Sequence, residues 1–200
     1  MTRQFWLLCA FVSVPIVGCI MALQADAVPP EEPTGTGKSF SRYVDKDGAI
    51  TRPSDYREKL SHLGSYAVAS KTEGALDEFH NVYAPEEDIE AYRKSGKFRD
   101  GTVLVKEVTK LSSAKLTTGY SNWSTDIKLW FVMVKDSEKR FPGNALWGDG
   151  WGWALFYPDA PEKNVAVDYV TDCKSCHIPA RKDDWIYIRG YPALRGVTKH

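Results

Sequence analysis

The sequence predicts one α+β domain whose core is mostly β. Four segments read as strands by composition and alternation, and two short helical patterns lie among them. The aromatic content is high for the size, with 7 Trp, 10 Tyr and 8 Phe in 200 residues, as a β-rich core prefers. That length suits a single domain with its own core rather than two. Lys plus Arg and Asp plus Glu both number 26, a balance that gives no ground for a nucleic-acid or anionic-membrane partner.

The chain opens as an export signal. Arg3 supplies the positive start, Phe5 to Leu23 the apolar run, and Ala25-Asp26-Ala27 a small-x-small cleavage site, so the mature chain is expected to begin at Val28 in the periplasm. Two other readings stay open. Ile16-Val17-Gly18-Cys19 has the form of a lipoprotein processing box, and the apolar run is almost long enough for an uncleaved membrane anchor. Cleavage at 27 removes Cys9 and Cys19 and leaves no disulfide framework. Residues 28–40, with Pro29-Pro30, Glu31-Glu32 and Gly35-Thr36-Gly37, bury too little apolar surface to fold and read as a flexible leader to a domain over 41–200.

Ser54 stands as an N-cap before Asp55-Tyr56-Arg57-Glu58-Lys59-Leu60, with Tyr56, Leu60 and Leu63 at helical spacing and Gly64 as a stop. His62 falls on this first helix and is read as an ordinary surface or hydrogen-bonded histidine. Glu78 to Tyr83 is a strand. Pro85 and the acidic Glu86-Glu87-Asp88 start a second helix, which carries Ile89 and Tyr92 inward and ends at Ser95-Gly96.

A turn over Phe98-Arg99-Asp100-Gly101 leads into a strand from Thr102 to Val108. Period two puts Leu104, Lys106 and Val108 on one face and Val103, Val105 and Glu107 on the other. Lys106 thereby stands among apolar residues, a place that an edge-strand lysine reaching for solvent would also occupy. Lys110 to Thr125 is polar and is expected to be a loop. Lys128 to Lys135 alternates Leu129, Phe131 and Met133 with Trp130, Val132 and Val134, and Trp151 to Tyr157 is apolar on both faces as well. Both strands are expected centrally, with helices on one side of the sheet and a cofactor or partner on the other.

The most specific signal is Cys173-Lys174-Ser175-Cys176-His177, because Cys-x-x-Cys-His is the sequence that fastens a c-type haem. Two thiols must reach two vinyl groups of one porphyrin, and the imidazole must come up under the iron from the same turn. A redox disulfide and half a zinc site compete with this reading. A thioredoxin-like motif opens a helix after a strand, whereas Asp172 precedes here and Ile178-Pro179 follows, and zinc needs a second ligand pair that the chain lacks. Cys173 and Cys176 are therefore the attachment residues and His177 the iron ligand. Met133, the only methionine of the expected mature chain, sits among apolar strand residues and reads as core, so a five-coordinate iron or one with a weak sixth ligand is expected.

Taken together, Phe79 to Tyr83, Gly96 to Glu107, Val132 to Asp136, Gly150-Trp151-Gly152-Trp153, Cys173 to His177 and Tyr191 to Arg195 resemble the cytochrome P-460 family, which includes the cytochromes c′-beta. The resemblance runs from about Tyr56 onward. It implies a homodimer of mainly antiparallel β-sheet with flanking helices, holding one covalently bound haem c. Lys106 stands at the place of a lysine that in cytochrome P-460 proper is joined through its side-chain nitrogen to the porphyrin edge, in an enzyme that oxidises hydroxylamine. Where those enzymes carry a distal arginine and a distal carboxylate, this chain has His80 and Phe131. The implied activity is oxidation of hydroxylamine or handling of nitrogen oxides, with Lys106 and His80 as catalytic residues and a partner cytochrome as electron acceptor. The alternatives are nitric oxide binding under an apolar Phe131 cap, as in the cytochromes c′-beta, and simple electron transfer.

Overall fold

The computed structural model describes residues 40–69 and 76–195. The expected signal over 1–27 and all of the expected leader except Phe40 lie outside the described residues. Phe40 is not a leader residue in character: its ring packs with Phe141 and Trp147, and the Arg140 guanidinium lies 4.2 Å over it. No helix among the described residues is long and apolar enough to cross a membrane.

Six strands form one antiparallel sheet, so the fold is α+β and mostly β. They are β1 (Ser61–Val68), β2 (Glu78–Ala84), β3 (Val103–Leu116), β4 (Gly119–Lys135), β5 (Trp147–Gly148) and β6 (Trp151–Phe156), in the spatial order β1-β2-β3-β4-β6-β5. The helices are α1 (Tyr56–Lys59) and α2 (Glu86–Ser95), followed by a helical C-terminal segment. Helix α2 is as expected, with Pro85 at its start and Gly96 ending it at φ 71, the Gly96 N–H closing on Tyr92 O at 2.8 Å.

Two expectations are corrected. The first helix is a single turn, capped at Asp55 rather than Ser54, and the chain is extended from Ser61. Tyr56, Leu60 and Leu63 imitate a helical stripe, yet Tyr56 and Leu60 pack beneath one face of the sheet and Leu63 beneath the other. Gly64 is no helix stop: β1 bulges between His62 and Gly64, and a Cβ at Gly64 would lie 2.0 Å from the Gly190 carbonyl oxygen. The expected loop over Lys110–Thr125 is instead the outer half of the β3/β4 hairpin, paired from Leu111↔Ser124 to Leu116↔Gly119. Its polar residues face water on both sides, so backbone pairing holds it without a hydrophobic face to announce it.

The two cores lie on opposite faces of the sheet. On one, Val103, Val105, Trp130, Val132 and Val134 pack under Ile50, Tyr56 and the first described residues. On the other, Leu104, Met133 and Trp153 meet Ile89 and Tyr92 of α2 together with Tyr169, Cys173 and Trp185. Helix α2 and the Cys-x-x-Cys-His segment thus share one face, and the N-terminal residues cover the other, contrary to the arrangement expected from β4 and β6. Strand β3 lies between β2 and β4, so Lys106 is not on an edge. Behind it, the buried Glu107 carboxylate accepts hydrogen bonds from the Tyr56 hydroxyl, from Arg57 Nε at 2.7 Å and from Asn81 Nδ2 at 3.1 Å, tying α1, β2 and β3 together.

Candidate functional site

Strand register decides what meets what. Cross-strand pairs His80↔Val108, Val82↔Lys106, Lys106↔Phe131 and Met133↔Trp153 bring His80, Lys106, Phe131 and Trp153 to one face, where they form the sheet wall of a cavity of about 430 Å³. The C-terminal segment forms the opposite wall, with Cys173, Cys176 and His177. The volume lies in the range of cofactor pockets, and the lining is mostly apolar with a few polar groups converging on it. All six residues singled out in the sequence line this one cavity. Met133 is buried core, as expected, and also borders the cavity floor. His62 stays outside it, packed on Tyr83 and bonded to Ser65 at 3.0 Å.

A π-turn over Val170–Lys174 runs into α3 (Ser175–His177) and then a 3₁₀ turn over Ile178–Asp183, which places both thiols and the imidazole within two successive turns. The Asp172 carboxylate holds the start of this segment by accepting from the Val167 and Asp168 N–H groups at 2.8 and 3.1 Å. Cys173 is buried and Cys176 exposed. Burial pushes the Cys173 thiol up to about 11, so it stays protonated.

His177 Nδ1 lies 2.8 Å from the Trp185 carbonyl oxygen, to which it donates, and the ring stands edge-on to Trp153 with centroids 4.8 Å apart. Burial lowers the imidazole pKa, so the neutral tautomer with Nε2 free is favoured. The carbonyl that orients it belongs to a turn at Asp184 and Trp185, neither of which was singled out in the sequence. Asp184 and Trp185 both adopt left-handed backbone conformations, at φ 57 and 69. The Asp184 carboxylate meets Lys135 Nζ at 2.6 Å and accepts the Phe98 N–H at 3.0 Å, while its carbonyl accepts Trp151 Nε1–H at 3.1 Å. This ion pair is buried and joins residues 49 apart in sequence, with no local motif to mark it.

On the sheet side, Lys106 Nζ sits 4.2 Å above the Phe131 ring, and burial lowers its pKa toward the neutral amine. His80 faces the cavity, which the flanking Phe79 and Val82 left undecided in the sequence. Its Nε2 is 2.6 Å from Glu78 Oε1, and Glu78 Oε2 is 2.5 Å from Lys128 Nζ. Desolvation lowers the His80 pKa, and the positive charges of Lys106 and Lys128 act the same way against the opposing pull of Glu78. Neither Glu78 nor Lys128 stood out in the sequence.

A neutral imidazole with one free ring nitrogen, two thiols one helical turn apart, and a broad apolar wall facing them form a donor set that fits a haem covalently held from one side. The family model Cytochrome P460 matches residues 53–188, from just before α1 to beyond His177. No curated protein matches the chain. The match covers most of the folded residues, the strands that carry His80, Lys106 and Phe131 as well as the haem motif, and the chain therefore belongs to the cytochrome P460 family of haem cytochromes.

Proposed function

We propose that this is a periplasmic monohaem c-type cytochrome that oxidises hydroxylamine, working as a homodimer and passing electrons to a partner cytochrome. One observation carries the reading: Lys106, a potential proton acceptor (His80) and an apolar cap (Phe131) converge on the cavity that Cys173, Cys176 and His177 close from the other side. The two cysteines would form the thioether links, and His177 Nε2 would bind the iron. When bound, haem supplies a centre that takes up electrons singly and holds a small nitrogen-oxide ligand.

Lys106 Nζ is the atom for a third link to the porphyrin edge. Burial lowers its pKa, which makes the nitrogen lone pair easier to free for bond formation. Such a link would exchange an amine N–H and a porphyrin-edge C–H for one C–N bond, giving up two protons and two electrons to an oxidant of the peroxide class. In turnover, dehydrogenation of hydroxylamine releases protons and electrons in equal number. The electrons leave to the partner cytochrome. The protons go to His80, whose Nδ1 is free because Nε2 is committed to Glu78.

A second reading has its own observation. The Phe131 ring covers Lys106 Nζ and turns an apolar face to the cavity, which suits a poorly polar diatomic and supports nitric oxide binding in the manner of the cytochromes c′-beta. Simple electron transfer would need a sixth ligand from the protein.

The absorption spectrum of the ferrous holoprotein, with mass spectrometry of the haem peptide, tests the choice. A strongly red-shifted Soret band together with a peptide joined at Lys106, Cys173 and Cys176 is expected, followed by hydroxylamine turnover. An ordinary high-spin spectrum with two thioether links alone would replace the enzyme by the gas binder.

A further inference from the structure

We propose that Glu78 relays protons from His80 to bulk water, with Lys128 as the positioning residue that keeps it ionised, so that β2 supplies the carboxylate that β4 does not offer at Phe131. The proposal deepens the hydroxylamine-oxidising reading and rests on it. Three side chains form an unbroken series: His80 Nε2 to Glu78 Oε1 at 2.6 Å, then Glu78 Oε2 to Lys128 Nζ at 2.5 Å. His80 lines the cavity and is 23% exposed, Glu78 is 20% exposed, and the outer member, Lys128, is 39% exposed. The series therefore starts at the substrate and ends at solvent.

The backbone is built to bring Lys128 there. Pairing between β3 and β4 passes from Val108↔Leu129 to Thr109↔Ile127, so Lys128 is the extra residue of a β-bulge. In regular alternation with Leu129, Phe131 and Met133, Lys128 would point away from the cavity face. The bulge re-aims it across β3 to a carboxylate on β2.

Each step balances. A substrate N–H or O–H bond breaks and its proton goes to His80 Nδ1 as the proton on Nε2 passes to Glu78 Oε1, leaving the imidazole neutral in its other tautomer. Glu78 then releases the proton to water and Lys128 keeps its own. The Lys128 ammonium holds Glu78 as a carboxylate between turnovers, which lowers its pKa from the ordinary value. Of the other ionisable groups facing His80, Lys106 of β3 sits over Phe131 and lowers the His80 pKa as Lys128 does. The rest are engaged elsewhere: Tyr66 of β1 accepts from the Gly190 N–H, Lys110 pairs with Asp126, and the Tyr187 hydroxyl of the C-terminal segment donates to the Cys176 carbonyl.

The test uses the holoprotein and its variants Glu78→Gln, Lys128→Ala and His80→Phe. Midpoint potential is followed against pH, because reduction of a centre near His80 draws a proton onto it. The relay gives a break in that curve. Glu78→Gln removes the negative partner and moves the break to lower pH by about one unit, Lys128→Ala moves it to higher pH, and His80→Phe abolishes it. A break unmoved by both Glu78→Gln and Lys128→Ala, or persisting in His80→Phe, overturns the relay. Hydroxylamine-driven haem reduction in Glu78→Gln should be at least tenfold slower, with nitric oxide affinity within twofold of wild type. A wild-type protein that hydroxylamine does not reduce overturns the enzyme reading, while the potential curve still decides whether the three residues share a proton.

Discussion

Replacing Lys135 by Met tests whether the proximal side of the site is held by a buried charge pair. Lys135 Nζ and Asp184 Oδ1 are 2.6 Å apart, and their side chains are 9% and 7% exposed. Methionine nearly matches the lysine stem in length, so Lys135→Met fills the same space and removes the ammonium, along with its place 4.8 Å over the Trp151 ring. It leaves the Asp184 carboxylate buried with one remaining donor, the Phe98 N–H. Breaking a buried pair from one side costs about 3–5 kcal/mol, a large part of the ~5–15 kcal/mol that holds a domain of ordinary stability.

Urea unfolding of the holoprotein, followed by far-UV circular dichroism, reads this as a lower midpoint at unchanged slope. The double variant Lys135→Met/Asp184→Asn removes both charges, so its loss should fall short of the sum of the single losses by about 1–3 kcal/mol. Because Asp184 fixes the left-handed turn that aims the Trp185 carbonyl at His177 Nδ1, the single variant should also shift the haem midpoint potential. A stability loss under about 1 kcal/mol would mean that water reaches the pair, and the argument from burial would fail.

The remaining expectations concern the sheet and its two faces. Tyr56→Phe strands Trp130 Nε1–H, which donates to the Tyr56 hydroxyl at 3.1 Å, and takes a donor from Glu107, at a cost of about 1–3 kcal/mol in the same assay. Burial and Glu107 push the Tyr56 phenol up to about 12. The folded chain therefore keeps a proton that the unfolded chain loses near pH 10, and stability falls as pH rises from about 10 to 12. Tyr56→Phe should make that alkaline fall shallower, which unfolding midpoints at stepped pH will show. Gly64→Ala drives a methyl to 2.0 Å from the Gly190 carbonyl oxygen and should cost at least the roughly 1–3 kcal/mol of an overpacked core, read as a lower melting temperature. In Lys106→Ala, haem should remain attached through Cys173 and Cys176 while any third link disappears from the peptide mass. An optical spectrum unchanged by that substitution would remove the main support for the enzyme.

What the sequence disclosed and what it concealed divide along one physical line. Alternation within a strand is local, so the apolar face that carries Leu104, Lys106, Phe131 and Met133 was legible, as was the Cys-x-x-Cys-His turn at Cys173 to His177, whose signal is written in five consecutive residues. Which strand lies beside which, and in what register, is not local. His80 could not be assigned to the cavity until Val82 was seen opposite Lys106. The polar outer hairpin carried no apolar periodicity to betray it. The Lys135–Asp184 pair joins two remote segments, and Glu78 meets Lys128 only through a bulge. A one-residue insertion reverses which face a strand shows, and two such insertions, at Leu63 and at Lys128, decide respectively how β1 approaches the C-terminal segment and which carboxylate Lys128 meets. Phe131 alone would read as the loss of an acid from β4. Under the proposed relay, the same position reads as half of an exchange, in which β4 gives the cavity an apolar cap and β2 supplies the carboxylate behind a histidine.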